Sequence, residues 1–272
     1  MNLRNLFAHP HPHPHPCPVY SLRSIVAILA VWSVLLSGCL STKYKMARGN
    51  TPPPILLNLA AAQPPLKVAL NMIITYKGPG SWKREAFWDE YVVSISNQGP
   101  QPLTIASATL ADPVGASHAP GADPWALEKE SKTLERKYRD AGIAFVRYTA
   151  PGVILAGAGV GFAEASLFSA GAASAATVCL LALPVYYTGV IMINHHNKAA
   201  VGKEFCRRRL ELPLTLSPGE TRIGSFFFPM VPSPRTLSLR WASGDSGDEI
   251  QIPLASLHGL HIKATVQASA HN

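Results

Sequence analysis

The N-terminus carries the densest run of side chains that could bind a metal. His9, His11, His13 and His15 alternate with prolines and lead into Cys17. Imidazoles suit zinc and copper, and thiolates suit zinc and Cu(I). Whether this run can act as a metal site depends on whether it remains in the working protein.

The segment that follows has the order of a secretory signal. Arg23 precedes a continuous apolar run over residues 25–36, and small residues come after it. An apolar run of about a dozen residues is too short to span a bilayer, which requires about twenty. We therefore expect residues 1–38 to be a signal peptide.

The end of the apolar run, Leu36-Ser37-Gly38-Cys39, resembles the lipobox of bacterial lipoproteins. The resemblance implies a type II signal peptide cut just before Cys39, with diacylglycerol on its thiol and an acyl chain such as palmitate on the new N-terminus. Several lipid chains give stable anchoring. In that family an aspartate after the cysteine tends to retain the protein at the inner membrane. The leucine at position 40 therefore implies the outer membrane, with the protein on its periplasmic face.

Processing at Cys39 removes the histidine run. We therefore expect no metal site, and no cofactor other than the covalent diacylglycerol and N-acyl chain. Residues 19–38 alone make a well-proportioned signal, so we also expect translation to start near Val19.

The mature chain, residues 39–272, is moderately basic. Arg4 and Arg23 are lost with the signal, so its net charge is +6 rather than the +8 of the full sequence. This balance suits an anionic lipid surface or an acidic partner, and it is too diffuse to indicate nucleic acid.

Two cysteines other than Cys39 remain in the mature chain. Cys179 lies in an apolar run and Cys206 beside three arginines. The expected compartment permits disulfides, and the sequence leaves open whether these two form one.

Short runs that alternate apolar and polar residues predict β-strands on both sides of a long insertion. Turns rich in Pro and Gly separate them. The predicted strand regions are 66–76, 89–99, 102–112, 208–229 (two runs), 235–242 and 248–257. Seven such strands predict an α+β fold in which an antiparallel β-sandwich carries inserted helices.

The stretches VSISNQGPQPLTI and LSPGET resemble immunoglobulin-like domains of secreted bacterial proteins. The resemblance implies an immunoglobulin-like sandwich, which is a scaffold rather than an activity. The expected layout is a lipidated, Pro-rich tether over 39–65, a sandwich formed by 66–112 and 206–262, a helical insertion over 113–205, and a C-terminal tail over 263–272.

The insertion is expected to begin with a charged helix. Asp123 is suited to the N-cap, and Pro124 to the first helical position. The pairs Glu128 to Lys132 and Glu135 to Arg139 are four residues apart, which favours a helix with a solvated charged face.

An apolar segment, residues 150–193, follows, and Glu164 is its one formal charge. Small residues recur at every fourth position: Gly157, Gly161, Ala165, Ser169 and Ala173. This glycine-zipper pattern lets helices approach closely in lipid. The length suits a hairpin of two helices that either inserts in a membrane or assembles with other chains. The alternative is a hairpin buried against the sandwich.

Glu164 bears on this choice. A carboxylate inside a membrane segment is by default functional. At the turn of a hairpin it would instead be solvated, and the sequence leaves both readings open.

The remaining motifs do not indicate catalysis. The stretch VILAGAGVGFAEA has Phe162 where a dinucleotide-binding loop needs a small residue. The histidines at 195, 196, 258 and 261 lack a supporting cluster of Cys or acidic residues, so we expect them at the surface or at headgroup level. There is no nucleophile elbow, and we expect a protein that is not an enzyme.

These observations predict a lipid-anchored cell-envelope protein whose apolar hairpin inserts in the membrane or mediates assembly into an oligomer or an envelope complex. Its expected partners are membrane lipid and protein, which includes further copies of itself. The alternative is a periplasmic ligand-binding or adaptor module in which the hairpin is a buried structural element.

Overall fold

The computed structural model describes residues 44–47, 52–147, 179–244 and 246–263, and the side chains of all of these except 179–190. The chain divides into two compact units. One comprises residues 1–41 and 171–190, of which only the helical backbone from 179 onward is described. The other comprises residues 42–170 and 191–272 and contains every strand given below.

The described elements alternate strands with two helices. In chain order they are β1 Leu56–Gln63, β2 Leu66–Ile74, β3 Asp89–Asn97, β4 Leu103–Ala111, β5 Ser117–His118, α1 Pro124–Asp140, α2 Cys179–Arg208, β6 Leu214–Leu216, β7 Thr221–Phe228, β8 Thr236–Ser243 and β9 Ser246–Pro253, followed by a 3-10 turn at Ala255–Leu257. The α+β class predicted from the sequence is confirmed.

The strands form two antiparallel sheets. The first has the order β1-β2-β3-β7. The second has the order β5-β4-β8-β9, and β6 pairs with the opposite end of β4 from β5. Both sheets are therefore assembled from strands that precede and follow the helices in sequence.

Alternation along the strands decides which side chains are buried together. On β3, Tyr91, Val93 and Ile95 are fully buried, whereas Val92 between them faces the opposite side of the sheet. Residues from both sheets share one hydrophobic cluster, which includes Leu66, Val68, Leu70, Phe226 and Phe228 of the first sheet and Leu103, Ile105, Leu237, Leu239, Trp241, Ile250 and Ile252 of the second.

Helix α1 begins where the sequence predicts. The Asp123 carboxylate accepts hydrogen bonds from the backbone N–H groups of Trp125 (3.3 Å) and Ala126 (2.9 Å). The predicted solvated face is wrong in one respect, because Glu128 and Glu135 are buried. Each of these carboxylates has a partner outside α1, Tyr44 for Glu128 and Arg147 for Glu135, which a pattern of charges within one helix cannot indicate.

Helix α2 is one continuous element of 30 residues. The sequence predicted an apolar helix ending near residue 193 and strand structure from 208, whereas α2 ends at Arg208 and β6 begins at Leu214. Val201 and Phe205 are fully buried against the first sheet, and this burial explains why the helix continues beyond its apolar part.

Strand β1 lies within the range 39–65, where the sequence predicted a tether. It pairs with β2 from Leu56 to Gln63 and forms the edge of the first sheet. Its residues alternate between exposed and half-buried, and the small side chains of the LAAA stretch weaken this pattern in the sequence.

Candidate functional site

The segment 44–47 is bound to the folded unit by backbone pairing. The Ala47 N–H donates to the Trp82 carbonyl and the Arg84 N–H donates to the Lys45 carbonyl, each at 2.8 Å. Met46 forms an isolated antiparallel bridge with Lys83. The chain that leads from Cys39 therefore joins the domain at one defined place.

Aromatic rings surround the point where this segment docks. Tyr44 and Trp125 meet edge to face with ring centroids 4.9 Å apart, and Trp88 lies 6.0 Å from Trp125. Phe205 of α2 lies 5.8 Å from Trp88 and stacks on Phe227 of β7 at 4.0 Å. These five residues are called the aromatic cluster below. The aromatic cluster holds the segment 44–47, α1 and α2 against the face of the first sheet that does not contribute to the hydrophobic cluster shared by both sheets.

Lys198 of α2 covers the outer end of the aromatic cluster. Its Nζ lies 4.9 Å from the ring centroid of Tyr44 and 5.1 Å from that of Trp125. A cation at this distance from an aromatic face is attracted by the quadrupole of the ring. Lys198 is exposed, so the contact lies at the surface of the domain.

A short apolar stretch of α2, separated from Lys198 by the polar residues 194–197, is exposed. Ile191, Met192 and Ile193 are 63%, 72% and 48% exposed. Consecutive helical positions point about 100° apart, so these side chains expose apolar surface on most sides of the helix. Contiguous apolar surface of this kind marks a membrane or protein contact.

A buried carboxylate holds Tyr44 in place. The Tyr44 hydroxyl donates to Glu128 Oε1 at 3.1 Å, and Lys132 also pairs with that oxygen. Burial, followed by the nearby Glu128 charge, raises the pKa of Tyr44 to about 12. The phenol therefore stays protonated and acts as a donor across the physiological pH range.

A second buried carboxylate joins the end of α2 to the sheet. Glu90 is fully buried and accepts from Trp82 Nε1 at 2.5 Å and from the Ser225 hydroxyl at 2.7 Å. The Arg208 guanidinium lies 3.3 Å from the same carboxylate. Arg207 and Arg208 also bind Glu204 and lower the pKa of Glu204 to about 2.

One of the histidines expected at the surface is buried. His261 Nε2 lies 2.7 Å from a carboxylate oxygen of Asp89, and its Nδ1 lies 3.1 Å from the Val146 carbonyl. Both His261 and Asp89 are fully buried. The surface prediction is wrong for His261, because these contacts come from segments distant in sequence. His258 is exposed, as predicted.

The structure also places the other histidines and the cysteines named above. His195 and His196 are exposed on α2, which agrees with the prediction. Cys206 is an exposed free thiol. Cys179 and Cys206 lie near opposite ends of one 30-residue helix, so a disulfide between them is incompatible with α2.

The remaining residues singled out from the sequence lie outside the described residues: Cys39, Gly157, Gly161, Glu164, Ala165, Ser169 and Ala173. Neither helix within the described ranges carries an apolar stretch of the length that crossing a bilayer requires. Within the same ranges, no three His, Cys, Asp or Glu side chains are arranged to hold a metal.

Sequence reasoning missed the residues that build this site. Tyr44, Lys83, Trp88, Glu90 and Lys198 come from four separate segments. The sequence gives only a weak indication of the site. Two tryptophans and several charged residues lie between β2 and β3, and a simple turn would require neither.

Comparison of the chain with protein-family models, with curated proteins and with solved structures finds no match. The case for a function therefore rests on the sequence and on the geometry of the site.

Proposed function

We propose that the protein is a non-enzymatic, lipid-anchored protein of the cell envelope, held on the periplasmic face of the outer membrane. In this proposal Cys39 carries the lipid, and the apolar segment 150–193 inserts in the membrane or assembles with a partner. The aromatic cluster and Lys198 form the face of the domain that is turned toward the membrane.

The contact between Tyr44 and Lys198 carries this proposal. Tyr44 follows the lipidated Cys39 by five residues, and an extended chain of that length spans at most about 17 Å. Lys198 follows Ile193 by five residues on α2, which corresponds to about 7.5 Å along a helix. In this proposal the lipid anchor and the apolar segment therefore join the domain near one contact, in which Nζ and the ring centroid are 4.9 Å apart.

The chemistry of this face supports the same orientation. Tyr and Trp are enriched at the headgroup level of membranes. A lysine there can keep its ammonium among lipid phosphates while its methylene groups lie against apolar surface. Tyr44, Trp125 and Lys198 combine these properties beside the exposed side chains of Ile191, Met192 and Ile193.

For the scaffold we propose an immunoglobulin-like β-sandwich. The order β2-β3-β7 has the arrangement of strands A, B and E, and the order β4-β8-β9 has that of C, F and G. The hydrophobic cluster shared by both sheets supports face-to-face packing. In this interpretation the helices are inserted after strand C.

The alternative, a periplasmic ligand-binding or adaptor module, is favoured by one observation. A cleft of about 580 Å³ lies among the β1–β2, β3–β4 and β8–β9 turns, and Pro65, Gln101 and Trp241 contribute to its lining. Turns at this end of an immunoglobulin-like domain commonly bind ligands. Such a module would carry the hairpin as a buried element.

Detergent dependence of the Cys39→Ser protein distinguishes the two functions. If the apolar segment inserts or assembles, the mature protein without lipid still requires detergent to stay dispersed, or forms a defined oligomer. A detergent-free monomer would favour the alternative. Intact mass of the wild-type protein tests the lipid itself, because signal-peptide cleavage before Cys39 removes residues 1–38 and lipidation of Cys39 adds the mass of the lipid chains.

A further inference from the structure

A cleft of about 420 Å³ opens beside the docked N-terminal segment. Ala47 and Pro52 line it on one side, and the β2–β3 connection lines it with Lys77, Lys83 and Glu85, among others. Arg84, also in the lining, is joined by its backbone N–H to the Lys45 carbonyl. The cleft therefore lies close to the chain that leads from Cys39.

Lys83 is buried and forms no salt bridge of its own among the described residues, although the Asp89, Glu90 and Glu128 carboxylates act on its amine through space. Its side chain is 1% exposed, and Nζ donates to the carbonyls of Ala86 (3.2 Å) and Trp88 (2.5 Å) and lies 4.7 Å from the Trp88 ring centroid. By contrast, the buried Glu90 and Glu135 carboxylates are each paired with arginines. Buried charges are normally paired, because desolvation without a counter-ion is costly.

The lining of the cleft is bipolar. Lys77 and Arg84 are exposed and give it two cations, whereas the Lys83 amine is buried and bound to backbone carbonyls. Glu85 adds one carboxylate, whose buried Oε2 has no hydrogen-bond partner among the described residues. Glu85 also has a φ of 59°, a strained conformation of a kind that clusters at functional sites. The unmet requirement is therefore a donor for Glu85, and the exposed Lys77 and Arg84 beside it can bind an anion.

We propose that this cleft binds a phospholipid headgroup that combines a phosphodiester with an ammonium group. Lys77 and Arg84 would hold the phosphate, and Glu85 would accept from the ammonium. The inference rests on the proposed function, since it is the docking of residues 44–47 near the membrane that brings the cleft to headgroup level. It goes beyond that function by naming a lipid class and the residues that select it.

Calorimetric titration of the mature Cys39→Ser protein with three soluble probes tests the ligand chemistry. The probes are glycerophosphoethanolamine, glycerol 3-phosphate and inorganic phosphate. We expect glycerophosphoethanolamine to bind about tenfold more tightly than glycerol 3-phosphate, because only the former carries an ammonium group that can form a charged hydrogen bond with Glu85. Equal affinities for all three probes would reduce the site to a phosphate site and overturn the headgroup assignment. An absence of saturable binding would overturn the inference entirely.

Variants assign the binding to the named side chains. Glu85→Gln should remove the preference for glycerophosphoethanolamine, and the double variant Lys77→Gln, Arg84→Gln should weaken every phosphate probe by about tenfold or more. Both changes involve side chains outside the hydrophobic clusters, so the fold should be retained. Arg240→Gln, a change of an exposed arginine on β8, is the matched control. Wild-type affinities in the cleft variants would overturn the assignment.

The same variants separate this inference from the proposed function. If the cleft variants lose headgroup binding while the lipidated protein still floats with vesicles, both proposals stand. If the wild-type protein floats but binds no probe, only the headgroup inference fails. If it binds the probe but does not associate with vesicles, the proposed function fails.

Discussion

The Nζ of Lys198 lies 4.9 Å from the ring centroid of Tyr44, and the two residues are separated by more than half of the chain. Tyr44 follows Cys39, the predicted lipidation site, by five residues, and Lys198 follows by five residues the apolar segment 150–193, which is predicted to insert in a membrane or to assemble. In the proposed function, this contact marks the face from which the lipid anchor and the apolar segment leave the domain.

The interaction between Tyr44 and Lys198 should be measurable by a double-mutant cycle. For Tyr44→Leu and Lys198→Met in the Cys39→Ser background, we expect a coupling energy of about 0.5–1 kcal/mol in urea unfolding. The matched control is Lys203→Met, a change of an exposed lysine on the same helix. A coupling of zero with Lys198, or an equal coupling with Lys203, would contradict the contact.

Phe205 should be the main residue that attaches α2 to the first sheet. It is fully buried between Trp88 and Phe227. Phe205→Ala should therefore lower the free energy of unfolding by about 3–5 kcal/mol. Ile223→Ala, a change of an isoleucine that is exposed on β7, should alter it by less than about 0.5 kcal/mol. Similar losses in both variants would show that α2 is not packed as described.

Lys83 should make stability depend on pH in the alkaline range. Burial lowers the pKa of Lys83 to about 8 from the ordinary 10.5, so the folded state favours the neutral amine. The unfolded state then binds more protons between these values, and the free energy of unfolding should rise from pH 8 toward 10.5. Lys83→Met should remove this rise, whereas Lys129→Met, on the exposed face of α1, should leave it unchanged.

Glu204 should contribute to acid sensitivity. Its hydrogen bonds with Arg207 and Arg208 lower the pKa of Glu204 from 4.5 to about 2. The stabilisation is present above the unfolded-state pKa and is lost as pH falls from 4.5 to about 2. Glu204→Gln should flatten this part of the stability profile. The control is Glu211→Gln, which changes a more exposed carboxylate paired with Arg209. Identical profiles of stability against pH for the two variants would contradict the role of Glu204.

The small-residue stripe of the apolar segment gives a prediction about assembly. Gly157→Leu or Gly161→Leu should disrupt oligomer formation or membrane association of the Cys39→Ser protein, because larger side chains keep helices apart. Val160→Leu, one position off the stripe, is the control. Sedimentation in detergent reports the size, and circular dichroism reports whether the sheets remain folded. An unchanged size and detergent dependence in the glycine variants would refute a role for the stripe.

The sequence predicts those elements whose signals are local. Alternation of buried and exposed residues marks β3, where Tyr91, Val93 and Ile95 share one face. The Asp123-Pro124 pair marks the start of α1, because capping depends on neighbours within three residues. Period and capping chemistry thus predicted the α+β class, most of the strands and the start of α1.

The site could not be predicted in this way, because its contacts join residues far apart in the chain. Tyr44 meets Glu128 and Lys198, and Asp89 meets His261. No periodic pattern relates these positions. Burial of Glu128 depends on donors supplied by Tyr44 as well as by its helical neighbour Lys132, so a charged helix was interpreted as a solvated one.

The orientation of the domain on the membrane tests the central claim most directly. Two positions can each be replaced by a single cysteine that carries a nitroxide label. His195 is exposed on α2 near Lys198. Gln98 is exposed at the far end of β3, and this nine-residue strand is about 30 Å long. Both variants are made in the lipidated protein with Cys179→Ser and Cys206→Ser and reconstituted in vesicles that carry a paramagnetic relaxation agent on the lipid headgroups. We predict strong relaxation of the label at position 195 and little at position 98. Equal relaxation at the two positions, or the reverse order, would contradict the account.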